Sequence, residues 1–174
     1  MTDIVVERHW DPPLTDANVY QAAEDAAGCL AIHRCQWQGS LLTTDGHELV
    51  CHFTAPDAES VRLALREADS PTGSIWVTTL HEPPGPGGEL PLANVMVTRR
   101  FPEPADFDEI QALEVAGAGC LEAHRVRFIR TYFSADRKRM ICLYQAPDAE
   151  SVRIAQREAG MPVEHVRAFR QFVP

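Results

Sequence analysis

Histidine is the residue type in this chain best suited to chemistry near neutral pH, because imidazole both transfers protons and ligates divalent transition metals. His33 and His124 stand 91 residues apart, each followed by arginine. His9 and His47 each stand close to an aspartate, Asp11 and Asp45. If their strands pair, the four residues form a nitrogen and oxygen donor set for a divalent metal. His9, His47, His33 and His124 are therefore the candidate metal ligands. A second chemistry is acid–base work on an anionic small molecule. There His33 or His52 would move the proton, and Arg125 and Arg127, two apart on a strand, would hold a carboxylate or phosphate. Tyr132 and Tyr144 are candidates for lining such a pocket. Each feature also has a structural reading: a histidine at a helix end can bond the free carbonyls there, and a basic sheet edge resists aggregation.

These residues sit on a duplicated framework. The octapeptide APDAESVR at Ala55–Arg62 returns at Ala146–Arg153, and the same offset relates Ala27–Leu30 to Ala118–Leu121, Cys51 to Cys142 and Arg8 to Arg99. Residue-level identity at one fixed period means two copies of one structural unit. The expected domains are copy one over 1–82, a Pro/Gly linker over 83–93 and copy two over 94–174.

Each copy reads strand, helix, strand, strand, helix, strand. In copy one the strand Ile4–Trp10 precedes a helix capped by Thr15 or Asp16. Strands over 31–43 and 48–54 follow, joined by an Asp45-Gly46 turn. In the octapeptide, Asp57 caps a helix whose Val61, Ala64, Leu65 and Ala68 form one apolar stripe. Ser74–His81 is the last strand. Copy two places strands at 94–101, 123–133, 138–145 and 164–172, with helices near 106–121 and 148–159. A βαββαβ order with right-handed crossovers gives a four-stranded antiparallel sheet with both helices on one face. The bare sheet face needs cover, and a second copy supplies it. The expected fold is α+β, a tandem ferredoxin-like (βαββαβ)2 chain forming an intramolecular α/β-barrel pseudo-dimer, with room for a further homodimer.

Charge and composition narrow the partners. The net charge is −9, and there is no basic stripe interleaved with aromatics, which argues against nucleic acid. Residues 1–91 carry 14 acids against four arginines, whereas residues 92–174 carry 11 acids against 12 basic residues. No stretch approaches the ~20 apolar residues of a membrane helix. The opening Met1-Thr-Asp-Ile-Val-Val-Glu-Arg lacks an apolar run fit for export. Five cysteines without CxxC spacing suit a reducing compartment, so a cytoplasmic protein is expected. No glycine-rich phosphate loop, flavin motif, HExxH or nucleophile–base motif is present.

Val126–Ser134, Ile141–Asp148 and Gly160-Met161-Pro162, with Val6–Arg8 in the first copy, resemble a small bacterial family of ferredoxin-like homodimers. That family was long classed as a domain of unknown function, and at least one member is described as nickel-binding. The resemblance implies the fold above and a cytosolic protein binding nickel or another divalent metal. The histidine that family members carry before a Ser/Thr-Tyr pair is Arg130 here, and Gly39 in copy one. The family's second-helix histidine is Ala155, and Ala64 in copy one. The alternative is a small-molecule-binding protein or cofactor-independent enzyme of oxygenase, isomerase or cyclase type, with a pocket of roughly 300 Å³ or more in the barrel.

Overall fold

A computed structural model describes residues 1–83 and 90–174. The first copy forms β1 (Thr2–His9), α1 (Asp16–Ile32), β2 (Gln36–Thr43), β3 (Glu48–Ala55), α2 (Ala58–Glu67) and β4 (Ser74–His81). The second forms β5 (Val95–Arg100), α3 (Phe107–Ala116), α4 (Ala118–Ala123), β6 (Arg127–Ser134), β7 (Arg139–Gln145), α5 (Ala149–Glu158) and β8 (His165–Phe172). Within the copies β1 lies between β3 and β4, and β5 between β7 and β8, all antiparallel. The second strand of each copy pairs antiparallel with the third, β2 with β3 and β6 with β7, so each copy orders its strands second, third, first, fourth. The tandem ferredoxin-like reading is the observed fold. Of the linker, Pro84–Glu89 lie outside the described residues, and Leu90–Leu92 form a short 3-10 turn.

Two compact units result, and their boundaries cut through the last strand of each copy. Unit one is Met1–Thr78 with Arg170–Pro174; unit two is Thr79–Phe169. The end of β4, including His81, therefore belongs to unit two, and the end of β8, including Phe172, belongs to unit one.

The repeated octapeptide is a helix start. Asp57 accepts a hydrogen bond from the Ser60 N–H at 2.8 Å, and Asp148 accepts one from Ser151 at 2.7 Å. Each cap satisfies a donor that the first helical turn leaves free. Of the expected stripe Val61, Ala64 and Leu65 are buried in α2, while Ala68, the C-cap, is half-buried; in α5 the buried residues are Val152, Ala155 and Gln156. Arg62 and Arg153 pair with Glu59 and Glu150 one turn back, on the outer side. At the two hairpins Gly46 and Arg137 both hold positive φ, 80° and 60°. A non-glycine residue thus serves in the second hairpin, where Ser134 and Asp136 bond the turn.

One expected element is different. The long helix predicted near 106–121 is two helices, α3 and α4, separated at Gly117. A Cβ there would stand 2.5 Å from the Ala159 Cβ, so only glycine lets the chain pass the end of α5 this closely. In copy one the equivalent residue is Ala26, and α1 runs unbroken. Among the described residues no helix is long and apolar enough to cross a membrane.

Candidate functional site

In both units the first helix of the copy covers the inner face of its sheet, and the space beneath differs sharply. In unit one it shrinks to about 20 Å³. Trp37 lines it, the Tyr20 ring packs edge-on to Trp37 at 6.4 Å, and Phe172 packs edge-on to Tyr20 at 5.4 Å. Ala23 and Phe53 complete that apolar filling. In unit two the corresponding space is a cavity of about 200 Å³. By the constant offset, Tyr20, Trp37 and Phe172 become Gln111, Phe128 and His81, which are less bulky or more polar. Phe107, Ile110, Phe128 and Met140 form its apolar wall. Thr131 and Met140 are buried and form the inner end; Glu82 and Gln111 are exposed and mark the opening.

A buried polar network lies against this cavity. Glu114 of α3 lines it where unit one has Ala23. The Tyr144 hydroxyl, from β7, donates to Glu114 Oε1 at 3.0 Å. Arg99 of β5 donates through Nη2 to the same hydroxyl at 3.2 Å and to Gln156 Oε1 at 2.7 Å. Its Nη1 donates to the Pro162 carbonyl. The guanidinium is 1% exposed, and among the described residues it has no carboxylate within ion-pair distance. Because a guanidinium only donates, the Tyr144 oxygen must accept from Arg99 and its single proton must point to Glu114. Hydrogen-bond directions along Arg99, Tyr144 and Glu114 are thereby fixed. Oε1 is occupied, and Oε2 has no protein partner among the described residues.

The electrostatics follow from burial. Desolvation raises the Glu114 pKa above the usual carboxylate value, opposed by the Tyr144 hydrogen bond and the Arg99 charge. Burial lowers Arg99 less than Cys142, Tyr144 and Glu114 raise it, so the guanidinium stays charged. Burial also pushes the Tyr144 phenol well up, so it remains a protonated donor. At the opening the His81 ring stacks on Phe107 at 3.9 Å, and burial lowers its pKa toward the neutral form. Arg130 pairs with Glu82, which neutralises that rim.

The histidines and arginines singled out by sequence lie elsewhere. His9 and His47 do come together, stacked at 5.7 Å and 11°. His9 Nδ1 meets Glu48 Oε1 at 2.8 Å, and His47 Nδ1 donates to the Trp10 carbonyl at 2.8 Å. Parallel rings held this way do not converge their nitrogens on one point. His33 binds Glu67 at 2.9 Å and His124 binds Glu158 at 2.9 Å, the same contact between helix ends in each copy. His52 binds Asp3 at 2.7 Å. Arg125 takes a left-handed conformation after α4, φ 57°, and with Arg127 lines an open groove of unit two, apart from the cavity's lining.

Sequence reasoning missed Glu114, Gln156 and His81 as a group and named Tyr144 only as a residue that could line a pocket. A signal was present. Ala23, Phe53, Leu65 and Phe172 are apolar in copy one, and their counterparts Glu114, Tyr144, Gln156 and His81 are polar. Four such exchanges at inward-facing positions mark one site.

The family described as nickel responsive protein SCO4226-like matches residues 5–77 and again residues 96–168. The chain belongs to that family. No curated protein matches it. Among solved structures it is similar to an anthrone oxidase-like protein, with 11% identity over 99% of this chain and 93% of that one, TM-score 0.53. It is also similar to a heme-binding protein from Thermus thermophilus, with 9% identity over 98% and 91%, TM-score 0.50. SCO4226 from Streptomyces coelicolor A3(2) is 20% identical over 42% of this chain and 91% of that one, TM-score 0.39. At these identities the anthrone oxidase-like and heme-binding structures establish the shared fold alone.

The family's description raises nickel, and the side chains present do not form a site for it. Among the described residues no three His, Cys, Asp or Glu side chains gather as ligands. A transition-metal site of nitrogen and oxygen donors needs three or four converging groups. The two positions at which the resemblance implies histidine hold Arg130 and Ala155 in copy two; Arg130 is the partner of Glu82, and Ala155 is fully buried on the inner side of α5.

Proposed function

We propose that this chain is a small-molecule-binding protein whose ligand occupies the cavity of unit two. One observation carries the reading: the same internal space is packed shut in one copy and, in the other, is open and backed by a buried carboxyl–phenol–guanidinium network. Both copies bury the arginine, Arg8 in one and Arg99 in the other; the second copy alone adds a desolvated carboxyl group and a phenol, and taking a carboxylate out of water costs several kcal/mol unless it is compensated. A core serving packing alone has the cheaper solution of the first copy, Phe53, Leu65 and Ala23. The volume, about 200 Å³, suits a compact ligand of roughly seven to ten heavy atoms, given ~30 Å³ per water in the liquid and denser packing in protein. Free thiols at all five cysteines support a cytoplasmic setting.

The test is to transplant the plug of unit one. His81→Phe, Gln111→Tyr and Phe128→Trp together give unit two the residues of unit one. Saturation-transfer NMR against a library of small aromatic and aliphatic compounds should find ligands for the natural protein and none for the plugged one. Ligands that bind both proteins equally would remove the cavity from the argument. Nickel responsiveness rests on the family's description; equilibrium dialysis with nickel, zinc and copper, repeated on His9→Ala/His47→Ala, tests it separately.

A further inference from the structure

The lining of the unit-two cavity also selects ligand charge, an inference that rests on the small-molecule reading above. Among the lining residues the donors left for an anion are the Gln111 amide and the His81 ring. No lysine or arginine is among them; the Nη atoms of Arg99 donate to Tyr144, Gln156 and Pro162 while its Nε is buried without a partner, and Arg130 is spent on Glu82. What lines the cavity instead is a carboxyl group, Glu114, whose Oε2 has no protein partner among the described residues, together with two aromatic rings, Phe107 and Phe128. Tyr144 consumes Oε1 and cannot turn its proton elsewhere, because Arg99 fixes its direction. Oε2 is therefore the carboxylate acceptor that the enclosed part of the lining offers a ligand; the other lining carboxylate, Glu82, is exposed at the opening and paired with Arg130. A cation bound to it sits at hydrogen-bond contact with the carboxylate, while the Arg99 charge lies two hydrogen bonds further back, of 3.0 and 3.2 Å. Attraction at contact outweighs repulsion at that longer range, since both fall with distance in the same medium. Aromatic faces add cation–π attraction for an ammonium and apolar area for its body.

We propose that the cavity of unit two receives a small organic ammonium, with its nitrogen on Glu114 Oε2 and its apolar body against Phe107, Phe128 and Met140. Binding is linked to pH through Glu114. The titratable and charged groups around that carboxyl are Tyr144 and Cys142 from β7, Arg99 from β5, and His81 with Glu82 at the opening. Desolvation raises the Glu114 pKa above the usual carboxylate value, and burial lowers that of His81. An ammonium favours the ionised Glu114, so affinity is greatest at neutral pH and falls as acid protonates it.

Three probes of one shape decide the matter: benzylamine, benzyl alcohol and benzoate, each titrated calorimetrically into the full chain. Benzylamine should bind at least tenfold tighter than benzyl alcohol, and benzoate should not bind. Glu114→Gln should abolish the preference for the amine while leaving the alcohol's affinity within about twofold, which also shows that the variant folds. Titrations in buffers of different ionisation enthalpy should show proton release with benzylamine at pH 5–6 and none with the alcohol. Equal affinity for amine and alcohol, or an amine affinity that survives Glu114→Gln, overturns the charge assignment and leaves the cavity as a neutral-ligand site. Tightest binding by benzoate overturns it in the opposite sense. If none of the three binds the natural protein but library compounds do, the ammonium proposal fails alone; if nothing binds, both proposals fail.

Discussion

Tyr144→Phe is the most direct probe of the buried network. The ring is retained, and Phe53 shows that phenylalanine fits the equivalent place in the other copy. Only the hydroxyl is lost. It is the acceptor for Arg99 at 3.2 Å and the donor to Glu114 at 3.0 Å. Hydrogen bonds to charged groups contribute about 1.5–3 kcal/mol each, and a buried group left without a partner adds its own desolvation cost. Arg99 keeps Gln156 and Pro162 as acceptors, and Glu114 keeps an oxygen toward the cavity, so the two losses are partly offset. A net destabilisation of about 2–3 kcal/mol follows from these terms. For a chain of this length 1 kcal/mol moves the melting point by about 2–4 °C, which gives a drop of about 4–12 °C. Urea denaturation and differential scanning calorimetry measure both quantities, and Phe53→Tyr is the matched control in unit one. A Tyr144→Phe protein within 0.5 kcal/mol of the natural one, or more stable, would refute the claim that the hydroxyl couples Arg99 to Glu114.

Three further outcomes are expected. Gly73→Ala should destabilise unit one by about 2 kcal/mol or more, because Gly73 has φ +55° and its Cβ would stand 2.2 Å from the Glu7 carbonyl oxygen; unchanged chemical denaturation would contradict that geometry. For Glu114 the folded pKa is raised by desolvation, so its ionisation opposes folding; this penalty is absent below the unfolded value of 4.5 and grows as pH rises through the folded one. The stability of Glu114→Gln minus that of the natural protein should therefore be larger at pH 7 than at pH 4, and a difference that shrinks with pH would reverse the assignment. Asp57 and Asp148 have pKa values lowered first by the backbone hydrogen bonds from Ser60 and Ser151, so their stabilisation is present above the usual carboxylate value and lost as pH falls through the folded one. Asp57→Asn and Asp148→Asn should each flatten the acid limb of the stability curve, read by denaturation between pH 2 and 5.

The sequence by itself determined the duplicated architecture. An offset that holds without a gap from strand to strand, an Asp cap in front of a Val-x-x-Ala-Leu stripe and an Asp-Gly hairpin are local features, and their physics is local: free N–H groups at a helix start, 3.6-residue periodicity, positive φ at a turn. The close approach that requires glycine at 117 was not legible, because its partner is Ala159, far along the chain. Nor was the meaning of the histidines, since whether His33 meets a metal or Glu67 depends on how two helix ends meet. The candidate site needed tertiary structure for a sharper reason. Arg99, Glu114, Tyr144 and Gln156 come from β5, α3, β7 and α5, and His81 reaches them only because the end of β4 belongs to the second unit. Their exchanges against the first copy are visible in the sequence one at a time. That they adjoin a single cavity is decided by the pairing of strands and the packing of helices over them, which no stretch of chain encodes alone.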